Sequence, residues 1–350
     1  MLEAVRYRRG RRQTLYDPAC GCRWTACYTS KDENAETSTM FPVQTETVTM
    51  SNLALLAICF ALGALLRKTE SLPENTTAVL NAFIIHVSVP ALTVLSVHNL
   101  KPDAKLIYPI LMAWALFAIG VGFLKIASRF HSMSNATIGA LILTGAMGNT
   151  AFVGFPMIEA FYGKEGLPIG ILADQMGTFL VLSTLGIMTA ARLSHAQVSG
   201  GTIVKRIVMF PPFLALLVGI LFIPLEFPVW AGDVLSRLGA TLPPLALLSV
   251  GFALRLSHIR GQEASLAIGL LYKLILGPAA LFLLFIWLCG AEGLTARITI
   301  FEAAMPPMIV GGIVAMEYGL NPQLAALMVG VGIPLSFATL SVWWWILQGV

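Results

Sequence analysis

Ten long apolar runs constrain the fold of this chain more than any other feature of its sequence. Short polar loops separate them, and most approach the roughly 20 residues that a helix needs to cross a bilayer. The runs are 50–66, 76–97, 106–125, 137–161, 167–190, 203–224, 229–254, 264–289, 296–317 and 321–347. In lipid, every backbone polar group must find its partner within the protein, which favours helices. The sequence therefore predicts an all-α, multi-pass protein of the cell membrane, with about ten transmembrane helices.

Composition supports this class and excludes others. The chain is 57% hydrophobic and only 11% charged, against about 25% charged residues in soluble domains. The net charge of +4 is not gathered into a basic stripe, so nucleic acid is not an expected partner. The five cysteines lack paired zinc spacing, and no Walker A or His-Glu-x-x-His motif occurs. We therefore predict no metal, no cofactor, no direct use of ATP and no enzyme activity.

The first 49 residues differ from the rest because they are polar and contain no apolar run. They lack the apolar h-region of a secretory signal peptide. We predict that this tail is disordered. An apolar run follows Met50 at once, and we hypothesise that the native protein starts there.

Basic residues in the loops predict the orientation. The loops after odd-numbered runs hold nine, which are Arg67, Lys68, Lys125, Arg129, Arg192, Lys205, Arg206, Arg255 and Arg260. The loops after even-numbered runs hold five, which are Lys101, Lys105, Lys164, Arg237 and Arg297. Cytoplasmic loops are enriched in Lys and Arg, so the first set is predicted to face the cytoplasm.

An internal repeat relates the two halves of the apolar region. Residues 90–97 recur as residues 243–250 with five of eight identical, and Tyr162-Gly163 recurs as Tyr318-Gly319. The offsets are 153 and 156 residues. Five runs per half is an odd number, so the second half must enter the membrane upside down. The sequence predicts two inverted five-helix repeats, 50–192 and 203–350, an arrangement found in many secondary transporters.

Two of the runs should be broken helices. Run four contains Gly-Asn-Thr-Ala-Phe-Val-Gly-Phe-Pro at 148–156, and run nine contains Met-Pro-Pro at 305–307 followed by two glycines. Proline suits the first turn of a helix, so we expect Pro156 and Pro306 or Pro307 to start the second half of each broken helix. The positive amino ends of two half-helices would then converge on an anion. The predicted substrate-binding residues are Asn149, Thr150, Gly154, Pro156, Pro306, Pro307, Gly311 and Gly312.

Single ionisable residues within apolar runs are candidates for proton or cation coupling. Asp174 is either a capped carboxylate or a coupling site, Lys273 either snorkels to the interface or charges a cavity, and His86 is either a packed polar residue or a relay. We expect Glu159 and Glu302, which flank the breaks, to lie near a membrane face in solvent.

These motifs resemble the auxin efflux carrier family, which includes plant PIN carriers and bacterial permeases for small carboxylates. The resemblance is carried by Asn-Thr-x-x-x-Gly-x-Pro at 149–156, Tyr162-Gly163, Ala-Met-Pro at 304–306 and Glu-Tyr-Gly at 317–319, and covers about residues 50–350. It implies ten helices with crossover helices four and nine, the fold of bile acid:sodium symporters, with one domain moving against a scaffold. It also implies that Asn149 contacts the substrate. The second crossover departs from the family pattern, because Met-Ile-Val follows its prolines at 308–310 where many relatives carry a polar residue.

The sequence thus favours a secondary transporter that moves a small organic anion by alternating access, with proton or sodium coupling and a homodimer both left open. The first alternative is a sodium-coupled symporter of a bulkier amphipathic acid. A membrane receptor or an intramembrane enzyme is the alternative from another class.

Overall fold

The computed structural model describes residues 13–17, 22–26, 43–98, 100, 103–194, 199–223, 225, 227–253, 259 and 261–350, with side chains from residue 54 onward. In the amino-terminal unit, β1 (Gln13–Asp17) pairs antiparallel with β2 (Cys22–Ala26), with Gln13 opposite Ala26. The rest of the tail predicted to be disordered, up to residue 42, lies outside the described residues. The start at Met50 stays a prediction.

Every regular element described from Val43 onward is a helix. The helices are α1 (Val43–Lys68), α2 (Thr76–His98), α3 (Ala104–Phe130), α4 (Asn135–Gly145), α5 (residues 150–162), α6 (Lys164–Ser194), α7 (Gly200–Val208), α8 (Pro211–Leu221), α9 (Val229–Ala253), α10 (Glu263–Leu288), α11 (Gly293–Ala303), α12 (Ile309–Glu317) and α13 (Pro322–Leu347). Polar caps and prolines begin several of them. Ser134 accepts the Thr137 N–H at the start of α4, and Pro322 opens α13.

Within the described ranges, six helices are long and apolar enough to cross a membrane: α2, α3, α6, α9, α10 and α13. The pair α7 and α8, bent by 57°, makes a seventh if it is one span. The predicted runs 50–66, 137–161 and 296–317 correspond to α1 and to the pairs α4/α5 and α11/α12, and do not add to that number. From Val43 onward the described structure is thus all-helical, with six to seven candidate membrane spans.

Wide turns of π-helical geometry occur inside several of these helices. They include Ile84–Ser88 in α2, Thr150–Gly154 in α5, Ala173–Thr178 in α6 and Tyr272–Leu276 in α10. Such turns insert one extra residue into the helical ladder and are frequent at functional sites. Each of these four turns contains a buried polar residue: Ser88, Thr150, Asp174 and Lys273, respectively.

The membrane helices pack as two groups. One group contains α1, α2, α8 and α9, and the other contains α3 to α6 and α10 to α13. Glycine allows backbones to touch within each group. A Cβ at Gly251 of α9 would overlap the Phe60 carbonyl of α1, and a Cβ at Gly311 of α12 would overlap the Leu143 carbonyl of α4. Small residues at such contacts are a common means of packing helices in membranes.

We predict that Gly311→Ala destabilises the protein, because its methyl group has no room beside the α4 backbone. Overpacking of this kind typically costs about 1–3 kcal/mol. The thermal midpoint of the purified protein in detergent should fall. The matched control is Gly122→Ala, since a Cβ there meets nothing within 4 Å. An equal midpoint for the two variants would contradict the prediction.

Candidate functional site

Two interrupted helices cross in the second group. The first interruption separates α4 from α5 at residues 146–149, and the second separates α11 from α12 at residues 304–308. The Asn149 N–H donates to the Pro306 carbonyl over 2.9 Å, and the Met308 N–H donates to the Thr144 carbonyl over 2.9 Å. Gly148 and Pro307 form an isolated antiparallel bridge between these bonds. Each break therefore satisfies backbone groups that the other one frees.

The prolines mark the start of one second half but not of the other. Helix α5 opens with the wide turn Thr150–Gly154, and its regular α-helical part begins at Phe155 with Pro156 in the first turn, where the sequence places it. Pro306 and Pro307 instead lie in the link before α12 begins at Ile309. Proline suits such a link because it has no backbone N–H to leave unpaired. The expected start at Pro306 or Pro307 is therefore corrected to Ile309.

A cavity of about 230 Å³ lies at the crossing, between the two groups of helices. Its polar lining residues are Asn149, Thr150, Asp174, Ser183 and Arg206. The apolar part of the lining is Ile84, Ile85, Val89, Ala151, Phe152, Phe179, Leu182, Phe210, Pro212, Met308 and Val310, together with Gly148. An apolar cavity with a few convergent polar groups is the usual form of a small-molecule site.

Two polar groups in the cavity wall have no partner among the described residues. Asn149 is 3% exposed, and its Nδ2 amide makes no hydrogen bond. Ser183 is 1% exposed, and its Oγ is unpaired as well. Buried polar groups are nearly always hydrogen-bonded in native proteins. These two groups are therefore placed to bond a molecule inside the cavity.

Thr150 and Asp174 are brought together across the cavity floor. The Thr150 hydroxyl donates to Asp174 Oδ1 over 2.6 Å, and both residues are buried. The bond joins the broken helix α5 to α6. Asp174 is thus a bonded carboxylate that also borders the cavity.

Lys273 and Glu302 lie next to the crossing but do not line the cavity. The Lys273 ammonium is fully buried and donates to the Ala303 carbonyl, the last residue of α11, over 2.8 Å. A cation at a helix carboxyl terminus complements the helix dipole. Lys273 therefore does not snorkel to the interface.

The expectation that Glu302 lies in solvent near a membrane face is wrong. Its side chain is 0% exposed, because it lies in the last turn of α11 and packs against Gly154 of α5 and Gly170 of α6. Glu159 is half-buried and lines a second cavity of about 620 Å³ with Lys164 and Glu165.

The other predicted residues do not line the cavity. Gly154 faces the Glu302 carboxylate, and Gly311 touches the α4 backbone. Pro156 and Gly312 are buried outside the cavity lining, as are Pro306 and Pro307. His86 is exposed and its Nδ1 contacts the Ala82 carbonyl of its own helix over 2.8 Å, so the structure does not bring it to the site.

Sequence reasoning missed two residues in the cavity wall, Ser183 and Arg206. Arg206 is exposed and lies at the edge of the cavity. In the sequence Arg206 is one of several loop charges, with nothing that marks it as a cavity residue. Ser183 lies nine residues after Asp174, which is two and a half turns of a regular α-helix and therefore predicts opposite faces. The wide turns at 173–178 and 182–186 change this spacing, and no local signal in the sequence predicts them.

The two cavities lie on either side of a contact between α2 and α6. Gln175 of α6 donates from Nε2 to the Thr93 hydroxyl of α2 over 2.9 Å, and both side chains are fully buried. The first cavity is lined by α2 residues before Thr93, and the second by α2 residues around Leu92 to Ser96.

A buried cavity at a crossing of interrupted helices, set in an apolar all-α fold, is typical of a membrane transporter. The family model described as "Membrane transport protein" matches residues 47–344, so the chain belongs to this family. The match confirms the resemblance to the auxin efflux carriers, and the protein is a multi-pass protein of the cell membrane.

Three relatives carry transporter names. An uncharacterized transporter from Methanothermobacter thermautotrophicus is 30% identical over 314 residues, covering 87% of this chain and 98% of that protein. An uncharacterized transporter from Methanocaldococcus jannaschii is 22% identical, covering 86% of this chain and 99% of that protein. A protein from Rhizobium meliloti named "Putative malonate transporter" is 21% identical, covering 80% of this chain and 90% of that protein.

We predict that Thr150→Val destabilises the protein by about 1–3 kcal/mol, because it removes a buried hydrogen bond to a carboxylate. Denaturation of the purified protein in detergent would measure the loss. The control is Thr144→Val, since the buried Thr144 hydroxyl bonds only the Ala140 carbonyl of its own helix. Equal stability of the two variants would show that the Thr150–Asp174 bond contributes little.

Proposed function

We propose that this chain is a secondary active transporter that carries a small organic carboxylate across the cell membrane by alternating access. The observation that carries the proposal is the Asn149 amide. Its Nδ2 is buried, has no hydrogen-bond partner among the described residues, and lies in the wall of a cavity at the crossing of two interrupted helices. An amide N–H donor in this position suits a carboxylate oxygen.

Three further features favour an anion. Helix α5 begins at Thr150 and α12 begins at Ile309, and both first turns border the cavity. The amino end of a helix carries roughly half a positive charge and free N–H donors. Arg206 adds a full positive charge at the cavity edge, and Ser183 adds a hydroxyl.

Alternating access is supported by the position of the cavity between two packed groups of helices. We propose that the group containing the crossing moves against α1, α2, α8 and α9. The second cavity then gives access from the opposite side once the Thr93–Gln175 contact is released. This assignment includes the finer architecture, ten spans in two inverted five-helix repeats at 50–192 and 203–350, with α4/α5 and α11/α12 as their broken crossover helices.

The substrate that best suits the cavity is a small mono- or dicarboxylate. A volume of about 230 Å³ falls below the ≈300–1,000 Å³ of sites for drug-sized ligands. The name of the Rhizobium meliloti relative points to malonate as the first compound to test. The small volume counts against the bulkier amphipathic acid considered as an alternative.

We predict that Asn149→Ala reduces carboxylate transport at least tenfold. A hydrogen bond to a charged group contributes about 1.5–3 kcal/mol, and 1.4 kcal/mol is a factor of ten in affinity. Counterflow of labelled malonate in proteoliposomes measures the effect, with the amount of inserted protein held equal. Asn81→Ala is the matched control, since Asn81 bonds Ser249 outside the cavity. Near-normal counterflow in Asn149→Ala would overturn the site assignment.

Arg206 should act on substrate capture rather than on the rate of movement. Charges at the edge of a site mainly change the association rate and its salt dependence. We predict that Arg206→Gln raises the KM several-fold, leaves kcat nearly unchanged and weakens the dependence of uptake on ionic strength. Lys205→Gln is the control, because the neighbouring Lys205 is exposed but does not line the cavity. Identical salt profiles for the two variants would contradict the role.

A further inference from the structure

Glu302 is a fully buried acid whose carboxyl group has no hydrogen-bond partner in the part of the chain that the structure describes. Neither of its carboxylate oxygens makes a hydrogen bond within the described part of the chain, and its exposure is 0%. An ionised carboxylate is very costly in such surroundings, whereas the neutral acid is far less so. The residue lies in the last turn of α11, and its carbonyl accepts the N–H of Met305 in the link of the second broken helix.

The packing around Glu302 leaves room for its carboxyl group. A Cβ at Gly154 of α5 would lie 2.7 Å from both carboxylate oxygens, and a Cβ at Gly170 of α6 would lie 3.1 Å from Oε1. Two glycines from two different helices thus form the pocket that holds the acid. One of them, Gly154, belongs to the turn that also places Thr150 in the cavity.

The charged groups that face Glu302 are Asp174 from α6 and Lys273 from α10. No pair of opposite charges among the three approaches within 4 Å, and the ion pair described at that distance is Lys105–Glu292, near the protein surface. Helix α13 carries no ionisable residue, and the charges of α3 lie towards its ends. On α5, Glu159 and Tyr162 lie at the far end from the crossing.

The three buried groups differ in their bonding. Asp174 accepts the Thr150 hydroxyl, and Lys273 donates to the Ala303 carbonyl. Glu302 alone among these three has no hydrogen bond. The net charge of these three residues therefore changes by one unit when Glu302 takes up or releases a proton.

A single residue, Gly148, separates Lys273 and the Glu302 backbone from the cavity. Gly148 lines the cavity, and a Cβ on it would lie 3.2 Å from the Lys273 ammonium and 3.3 Å from the Glu302 carbonyl oxygen. A change of charge at Glu302 therefore changes the binding free energy of a carboxylate in the cavity, because charges interact strongly where water is excluded.

We propose that Glu302 is the proton-binding residue that couples proton movement to carboxylate transport. This inference rests on the proposed function and extends it. The acid takes a proton from water on one side as the carboxylate enters, forming its O–H bond. It returns the proton to water on the other side when the carboxylate leaves. One proton moves with each carboxylate, and it offsets one negative charge of the cargo.

The test compares two transport modes of Glu302→Gln in proteoliposomes, with labelled malonate as the probe. Glutamine keeps the shape of the acid but cannot carry a proton. Counterflow needs no net proton movement and should stay within about threefold of the original protein. Accumulation driven by an imposed pH gradient should fall at least tenfold. Glu317→Gln, which changes an exposed carboxylate at the end of α12 outside both cavities, should keep both activities.

Several outcomes would overturn the proposal. The first is that Glu302→Gln accumulates malonate in response to a pH gradient as strongly as the original protein does. The second is that the original protein shows counterflow but its malonate accumulation does not depend on the pH gradient. Loss of counterflow together with accumulation, in a variant that still binds malonate, would assign Glu302 to the structure of the crossing. If the original protein shows counterflow with none of the small carboxylates tested, the proposed function itself is contradicted.

A second variant covers the case in which Glu302→Gln does not fold. Glu302→Asp keeps a titratable acid but moves it by one methylene within the glycine pocket. Its pH-driven accumulation should persist with a shifted dependence on pH. A pH profile identical to that of the original protein would count against the proposal.

Discussion

The structure depends on two backbone hydrogen bonds that join the interrupted helices. The Asn149 N–H bonds the Pro306 carbonyl, and the Met308 N–H bonds the Thr144 carbonyl. A free backbone group in the membrane interior costs several kcal/mol. Neither interruption would be tolerable alone, so each exists because the other lies against it. The cavity is a result of this pairing, since the freed segments supply its wall and their amino ends face it.

The buried charges are arranged around the same crossing. Lys273 bonds the carboxyl end of α11, and Asp174 bonds the hydroxyl at the start of α5. Both charges are thus attached to ends of interrupted helices, where dipoles and unpaired groups are concentrated. Glu302 occupies the space between them that Gly154 and Gly170 leave open. Loss of the crossing would leave all three groups in apolar surroundings without their present neighbours.

Local features of the sequence predict where the helices break, but not how the pieces meet. Glycine and proline at 148–156 and at 306–312 indicate interruptions, because both residues act on the backbone where they stand. The start of α12 at Ile309 is set by the pairing of Pro306 with Asn149, which lies more than 150 residues away in the chain. The burial of Glu302 likewise depends on glycines of other helices. Arg206 lies at the cavity edge on α7, which is bent by 57° against α8.

The Thr93–Gln175 contact has a kinetic consequence. It joins α2 to α6 by one neutral hydrogen bond, and the second amide atom of Gln175, Oε1, has no partner among the described residues. A neutral hydrogen bond contributes a net of only about 0.5–1.5 kcal/mol, which is within a few multiples of thermal energy. If α2 and α6 separate as proposed, the breaking of this bond therefore adds little to the activation barrier.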